Sequence, residues 1–298
     1  MRKYIHLILL CGTMLMQVAC NRSTTDNNEE IADSLAHREI EPFKGEYDSL
    51  VIKGAANTDS ALAEFEKRYD EEQRQVILAL NRIDRYHLKR ADMLVVPDSV
   101  STDLTVYTPF PPRLEELDDV PKIVFFSYPY QAFAAYENGL QVRWGPTSMG
   151  TQKNPTPTGL FFANWKAEEH ISTVDDEWLL KWNFNIENEK GVGWHLYAMP
   201  GYPASHSCLR LLDNDARWLY DWANMWVLEG EHEVKAQGTP VIVFGRYDFS
   251  RKSPWLNLLD DPDANTVSKA DLKNELEPHL QKIQEEQERR QRVIQEEK

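Results

Sequence analysis

Apolar residues recur along the 298-residue chain with periods that change from segment to segment, and each change predicts a different element. Residues 4–18 are mostly apolar behind Arg2 and Lys3, the build of an N-terminal leader. Residues 21–41 are polar and acidic with almost nothing to bury, so they read as a tether. Between residues 47 and 97 the period becomes helical. Leu62, Phe65 and Tyr69 share one face of a helix starting near Thr58 or Asp59; Val76, Ile77 and Leu80 share a face of a second, ending near Asn81. Short apolar runs at residues 50–52 and 93–96, the latter stopped by Pro97, flank them and give a βααβ order. Pro109, Pro111 and Pro112 then mark a boundary near residues 109–120.

Beyond it the pattern is that of strands. Residues 122–127 and 131–136 are β-rich, Glu137, Asn138 and Gly139 form a hairpin turn signal, and residues 140–144 return. A Pro-Thr-Gly turn leads into the apolar residues 160–162. Residues 165–190 carry Trp178, Trp182 and Phe184 among many charges and read as an excursion over a cleft, with core filling by those aromatics as the alternative. Residues 213–226 predict a helix with Ala216, Leu219, Tyr220 and Ala223 on one face, and residues 238–244 a last buried strand. From about Ser268 a charged helix carries Leu272, Leu276, Leu280 and Ile283, is interrupted by Pro278, and reads as a solvated tail packed by one thin stripe.

Composition adds limits. Hydrophobic residues make up 42% and aromatic ones 11%, enough for a substantial core. The formal net charge of −15 excludes nucleic acid and anionic headgroups as electrostatic partners, since both need clustered Lys and Arg. Past the leader no stretch is apolar enough to predict a membrane span. Of the cysteines, Cys11 and Cys20 belong to the leader and its end, which leaves Cys208 without a partner. In an oxidising compartment an unpaired thiol is a liability usually kept for its reactivity. His195, Ser205, His206 and Arg210 stand close to it in sequence. Acyl transfer by a cysteine needs a sulfur nucleophile, a base and donors for an oxyanion. Cys208 supplies the sulfur and His195, at a strand end, the base, its tautomer fixed by a backbone carbonyl because no Asp or Asn lies between residues 196 and 204. The N–H groups of Ser207 and Cys208 could form the oxyanion hole, helped if the helix from Asp213 aims its N-terminus inward. Arg210 would grip a substrate carboxylate or brace the loop, and Ser205 would donate a structural hydrogen bond. An inert core thiol with satisfied histidines is the duller alternative. A zinc site from His195, His206 and Cys208 lacks a fourth ligand.

The run Ser205, His206, Ser207, Cys208, Leu209, Arg210, behind His195 and the earlier turn of Thr156, Pro157, Thr158 and Gly159, resembles the signature of YkuD-type L,D-transpeptidases. Their core reads Ser or Thr, His, Gly, Cys, an apolar residue, then Arg or Asn. Ser207 stands where the family has glycine, and the interval from His195 to Cys208 is shorter than usual. The resemblance implies an α+β fold with a mostly β catalytic domain and one or two helices, and His206 lining the pocket. It implies that Cys208 attacks the amide after the third residue of a peptidoglycan stem peptide and passes the acyl group to an amine of another stem. Water as acceptor would make the enzyme an L,D-carboxypeptidase; a catalytically degenerate wall-binding module is the non-enzymatic alternative. Neither cofactor nor metal is implied.

Gln17, Val18, Ala19 and Cys20 resemble the end of a bacterial lipoprotein signal, although Gln17 stands where an apolar residue is usual. That implies a lipid on Cys20 and a membrane-anchored protein facing the periplasm of the bacterial envelope; an ordinary secretory signal is the alternative. Residues 78–83 and 92–97 in their βααβ setting resemble a LysM module, which binds wall glycan, with residues 54–60 in place of its opening Gly-Asp-Thr-Leu element. A generic helical packing unit would show the same periodicity. The expected division is a signal at 1–19, a tether at 20–44, a LysM-like domain at 45–100, a linker at 101–117, the catalytic domain at 118–250 and a partly helical charged tail at 251–298.

Overall fold

The uninterrupted apolar runs at residues 123–127 and 240–244 form the centre of the protein, because a strand buried on both faces has no polar side to show. The structure is a computed structural model describing residues 41–53, 57–172, 178–251 and 253–296. The expected leader, Cys20 and all but the last residues of the tether lie outside the described residues, as do residues 54–56.

β1 (Tyr47–Val51) and β2 (Met93–Pro97) pair antiparallel around α1 (Thr58–Arg68) and α2 (Glu71–Leu80), so the βααβ order read from the sequence is present. Asn57 caps α1, accepting from the amides of Asp59 and Ser60, and Asp70 with Gln73 closes a capping box on α2. The next strands are β3 (Ile123–Ser127), β4 (Ala132–Glu137), β5 (Leu140–Pro146), β6 (Gly159–Phe162), β7 (Lys166–Ile171), β8 (Leu179–Glu187), β9 (Val192–Leu196) and β10 (Leu209–Leu211). α3 (Asp213–Trp222), β11 (Val227–Glu229), β12 (Glu233–Ala236), β13 (Pro240–Phe244), α4 (Lys269–Leu276) and α5 (Leu280–Glu296) follow.

β13 inserts between β3 and β6 in a five-stranded sheet of order β5-β4-β3-β13-β6, while β10-β9-β8-β7 form a second sheet. Alternation splits the central sheet into two faces. Val124, Phe126, Phe133, Val241 and Val243 pack against Phe184, Trp194, Leu209 and Leu211 of the second sheet and Leu219 of α3. Phe125, Ala134, Tyr136, Ile242 and Phe244 pack the other way, against Val76 and Leu80 of α2 and Leu272, Leu276 and Ile283 from the C-terminal helices.

Several expectations change. Residues 101–117, read as a linker, bury Tyr107, Phe110, Leu114 and Leu117 in that second core, because their aromatic and leucine side chains have a sheet face to cover. The C-terminal segment is not a solvated tail: Leu272, Leu276 and Ile283 are fully buried, so its thin stripe is a core contact with a charged outer surface. The described part of residues 165–190, read as an excursion over a cleft, supplies β7 and β8 of the second sheet while its Trp165 and Trp178 line a cavity. The helix from Asp213 stops at Trp222 and the chain turns into the β11–β12 hairpin, which its charged residues gave little reason to expect.

Leu272→Ala is expected to lower the unfolding free energy by about 3 kcal/mol in urea denaturation, the cost of a buried leucine cavity. A change below about 0.5 kcal/mol would return the segment to a solvated tail.

Candidate active site

Strand β10 pairs parallel with β9 in the register Leu209 with Trp194 and Arg210 with His195. Trp194, Leu209 and Leu211 point into the core, so period-two alternation sends His195 and Arg210 to the opposite face. Extending the register by one residue sets Cys208 beside Gly193, on that same outer face. There His195, Ser205, His206, Cys208 and Arg210 line a cavity of about 390 Å³, walled further by Trp165, Trp178 and Tyr197. The structure therefore gathers these five sequence-predicted side chains around one space; Ser207, between two of them in sequence, is not among the lining residues.

Backbone hydrogen bonds fix the two reactive groups. The Nδ1 of His195 lies 3.0 Å from the Leu196 carbonyl, so Nδ1–H donates to it and Nε2 keeps its lone pair. Cys208 Sγ lies 3.7 Å from the Gly191 carbonyl, and the side chain is partly exposed at the cavity. Burial draws the His195 imidazole down to about 4, opposed by the Leu196 hydrogen bond and aided by the Arg210 charge. Burial also pushes the Cys208 thiol up; the Gly193 backbone hydrogen bond and the Arg210 charge reduce that rise without reversing it. At neutral pH both groups are therefore uncharged, a thiol and a free base on one cavity rather than a standing ion pair.

Ser207 has φ +92°, the backbone region that glycine favours. Hydrogen bonds hold it there from both sides. Ser205 Oγ donates to the Cys208 carbonyl at 2.6 Å, and Thr156 Oγ1 donates to the Ser207 carbonyl at 2.8 Å. Thr156 Oγ1 also accepts from Gly150 N at 2.9 Å, which ties the Pro-Thr-Gly turn to the cysteine turn. Among the described residues no group accepts from the Ser207 or Cys208 amide N–H. No residue of α3 lines the cavity, and its first turn carries Asp213 and Asp215, the latter paired with Arg143 at 2.7 Å.

Arg210 stacks on Tyr197, 4.6 Å from the ring centroid, and donates to the Ala198 carbonyl at 3.2 Å. It has no carboxylate partner among the described residues. His206 is exposed, its ring 5.1 Å from that of Trp178. Sequence reasoning missed Gly193, Asn185 and Tyr197. Asn185 pairs with Gly193 across β8 and β9 and reaches the cavity without a side-chain hydrogen bond among the described residues. The alternation of Phe184, Asn185 and Ile186, apolar on both sides of one amide, was the available signal. Among the described residues no three His, Cys, Asp or Glu side chains converge as metal ligands would, and no helix is long and apolar enough to cross a membrane.

A mixed α+β fold with a cysteine and a neutral imidazole facing one cavity defines a cysteine–histidine domain. Residues 121–243 match the family model of YkuD, the L,D-transpeptidase catalytic domain. Among solved structures, an L,D-transpeptidase from Stackebrandtia nassauensis is similar at 22% identity over 43% of this chain and 57% of that one, with a TM-score of 0.35. An L,D-transpeptidase from Mycobacterium smegmatis gives 24% identity, 42% and 59% coverage and a TM-score of 0.34. The catalytic domain of the E. faecium L,D-transpeptidase gives 21%, 41%, 96% and 0.31. The chain thus spans less than three fifths of the first two structures. No curated protein matches it.

Ser207→Gly is expected to raise the unfolding free energy by about 1 kcal/mol, because it relieves a positive φ and the Ser207 hydroxyl makes no hydrogen bond among the described residues. A loss of stability in urea melts would refute strain at this turn. The buried His195 gives a pH signature. The unfolded chain takes up a proton near pH 6.5 that the folded one refuses until about 4, so its contribution to stability is full above that window and declines as pH falls through it. The decline amounts to roughly 3 kcal/mol and should vanish in His195→Gln, measured as unfolding free energy against pH.

Proposed function

We propose that this domain is a cysteine-dependent L,D-transpeptidase that modifies peptidoglycan stem peptides through a thioester acyl-enzyme. The reading is carried by one observation: Cys208 and a neutral His195 face the same cavity, and the Ser207 and Cys208 amide N–H groups have no acceptor among the described residues. The family match of residues 121–243 supports the substrate class. As Cys208 Sγ attacks the stem carbonyl, His195 Nε2 takes the thiol proton, so charge develops only while the C–S bond forms. The Ser207 and Cys208 N–H groups receive the tetrahedral oxyanion. Collapse expels the terminal D-amino acid, whose amine takes the proton back from His195. An acceptor amine then loses a proton to His195, attacks the thioester and releases the Cys208 thiol. Arg210 holds a substrate carboxylate with the donors that Ala198 leaves free.

In the same proposal the leader and a lipid on Cys20 place the domain at a membrane of the bacterial envelope, and the βααβ unit, by its LysM resemblance, faces wall glycan.

Intact-mass measurement tests the reading. Incubation with stem peptides, or with a carbapenem, should give a covalent adduct on Cys208 that is absent from Cys208→Ala. His195→Ala should slow adduct formation by roughly 10²- to 10⁴-fold, the usual worth of a general base. Crosslinked product identifies the transpeptidase; trimmed stems alone identify a carboxypeptidase. Peptide binding with no adduct would leave only a wall-binding module.

A further inference from the structure

Residues 197–204 join the strand bearing His195 to the turn bearing Cys208, with Tyr197 at the start and Ser205 just beyond the end lining the cavity, and the middle of this loop is held from outside the two sheets. The hold comes from the βααβ unit, just after α2. Asp84 N–H donates to the Met199 carbonyl at 2.8 Å, and the Met199 N–H donates back to Asp84 Oδ2 at 2.7 Å. Beside this pair Ile83 forms an antiparallel bridge with Pro200. The Asp84 carboxylate is fixed in turn: Oδ1 accepts from the amides of Tyr86 and His87 at 2.8 and 2.9 Å, and the His87 Nδ1 lies 2.8 Å away. Its side chain keeps only 14% of its exposure, so the charge-assisted bond to Met199 is shielded from competing water.

The residues next to Met199 are those that hold Arg210. The guanidinium stacks on Tyr197 and donates to the Ala198 carbonyl, and both positions belong to the loop. We propose that Asp84 is a positioning residue for the cavity: by clamping Met199 it fixes Tyr197 and Ala198, and through them aims the Arg210 charge at the sulfur of Cys208. The βααβ unit is thereby part of the machinery that orients an anionic ligand, in addition to any wall ligand of its own. This rests on Cys208 and Arg210 facing one cavity and holds for either acyl acceptor.

Two small alkylating agents of similar size and opposite demand read the charge directly. Iodoacetate carries a carboxylate and iodoacetamide does not, so the ratio of their rate constants at the Cys208 peptide, followed by mass spectrometry on the full chain, reports a cation beside the sulfur. Arg210→Ala should lower the ratio about fivefold, the scale of one charge at a half-screened distance. Asp84→Ala should lower it most of the way to that floor. Asp84→Asn, which keeps one acceptor oxygen, should fall between Asp84→Ala and the wild type, and carries the test by itself if Asp84→Ala does not fold. Hydrogen exchange of the Met199 amide, read in parallel, should quicken in step with the fall. General loss of stability would slow or speed both reagents alike and leave the ratio in place. A ratio unmoved while the Met199 amide exchanges faster overturns the proposal, as does a Met199 amide that stays protected in the Asp84 variants or a ratio indifferent to Arg210→Ala. Stem-peptide turnover is not read, so failure of the transpeptidase reading would leave this result standing.

Discussion

The site depends on how closely β8, β9 and β10 approach one another at Gly193. A Cβ at this position would lie 2.4 Å from the Phe184 carbonyl, so any side chain would push β8 and β9 apart. Gly193 therefore permits the strand pairing and at the same time leaves the outer face of β9 bare where Cys208 sits beside it. The inner face of the same strands is as demanding, since Phe184, Trp194 and Leu209 are fully buried against the central sheet. A slip of one residue in β10 would turn Cys208 and Arg210 into that apolar core and leucines out to solvent. Core packing and the placement of the reactive groups are thus one constraint seen from two sides.

Burial then decides the electrostatics. His195 is held in its neutral form at ordinary pH, and Cys208 in its thiol form, because desolvation outweighs every local favour to the charged state. A resting thiol is slow to oxidise, since the thiolate is the reactive species. The cost is that nothing is activated in advance. In the proposed mechanism proton transfer therefore accompanies attack, and the hydrogen bond of Nδ1 to the Leu196 carbonyl leaves Nε2 with its lone pair.

Much of this was legible in the sequence, for identifiable reasons. The order of β1, α1, α2 and β2 and the hairpin at Asn138 and Gly139 follow from local signals, helical spacing and a turn dipeptide, whereas His195, Cys208 and Arg210 were expected together from their nearness in sequence and the resemblance to the YkuD-type signature. What was misread depends on distant partners. The stripe of Leu272, Leu276 and Ile283 is the same whether it faces water or a sheet, and only the uncovered face of β3 and β13 decides. Residues 101–117 looked like a linker because their prolines break periodicity, yet Tyr107 and Phe110 are core residues. The bond between Asp84 and Met199 spans a sequence separation that no local pattern encodes.

The turn at Ser207 shows how a local rule is broken and compensated. A residue with a Cβ at φ +92° costs about 1–3 kcal/mol and persists only where its surroundings leave no alternative. Here the two peptide carbonyls of the turn are each claimed by a hydroxyl, Thr156 on that of Ser207 and Ser205 on that of Cys208. Rotating Ser207 to a relaxed φ would swing its peptide planes and leave both hydroxyls, largely buried, without acceptors, at about 1–3 kcal/mol each. The two bonds therefore outweigh the strain. In the same turn the Ser207 and Cys208 N–H groups have no acceptor among the described residues, so the turn that serine strains is also the one that leaves these two donors unpaired there.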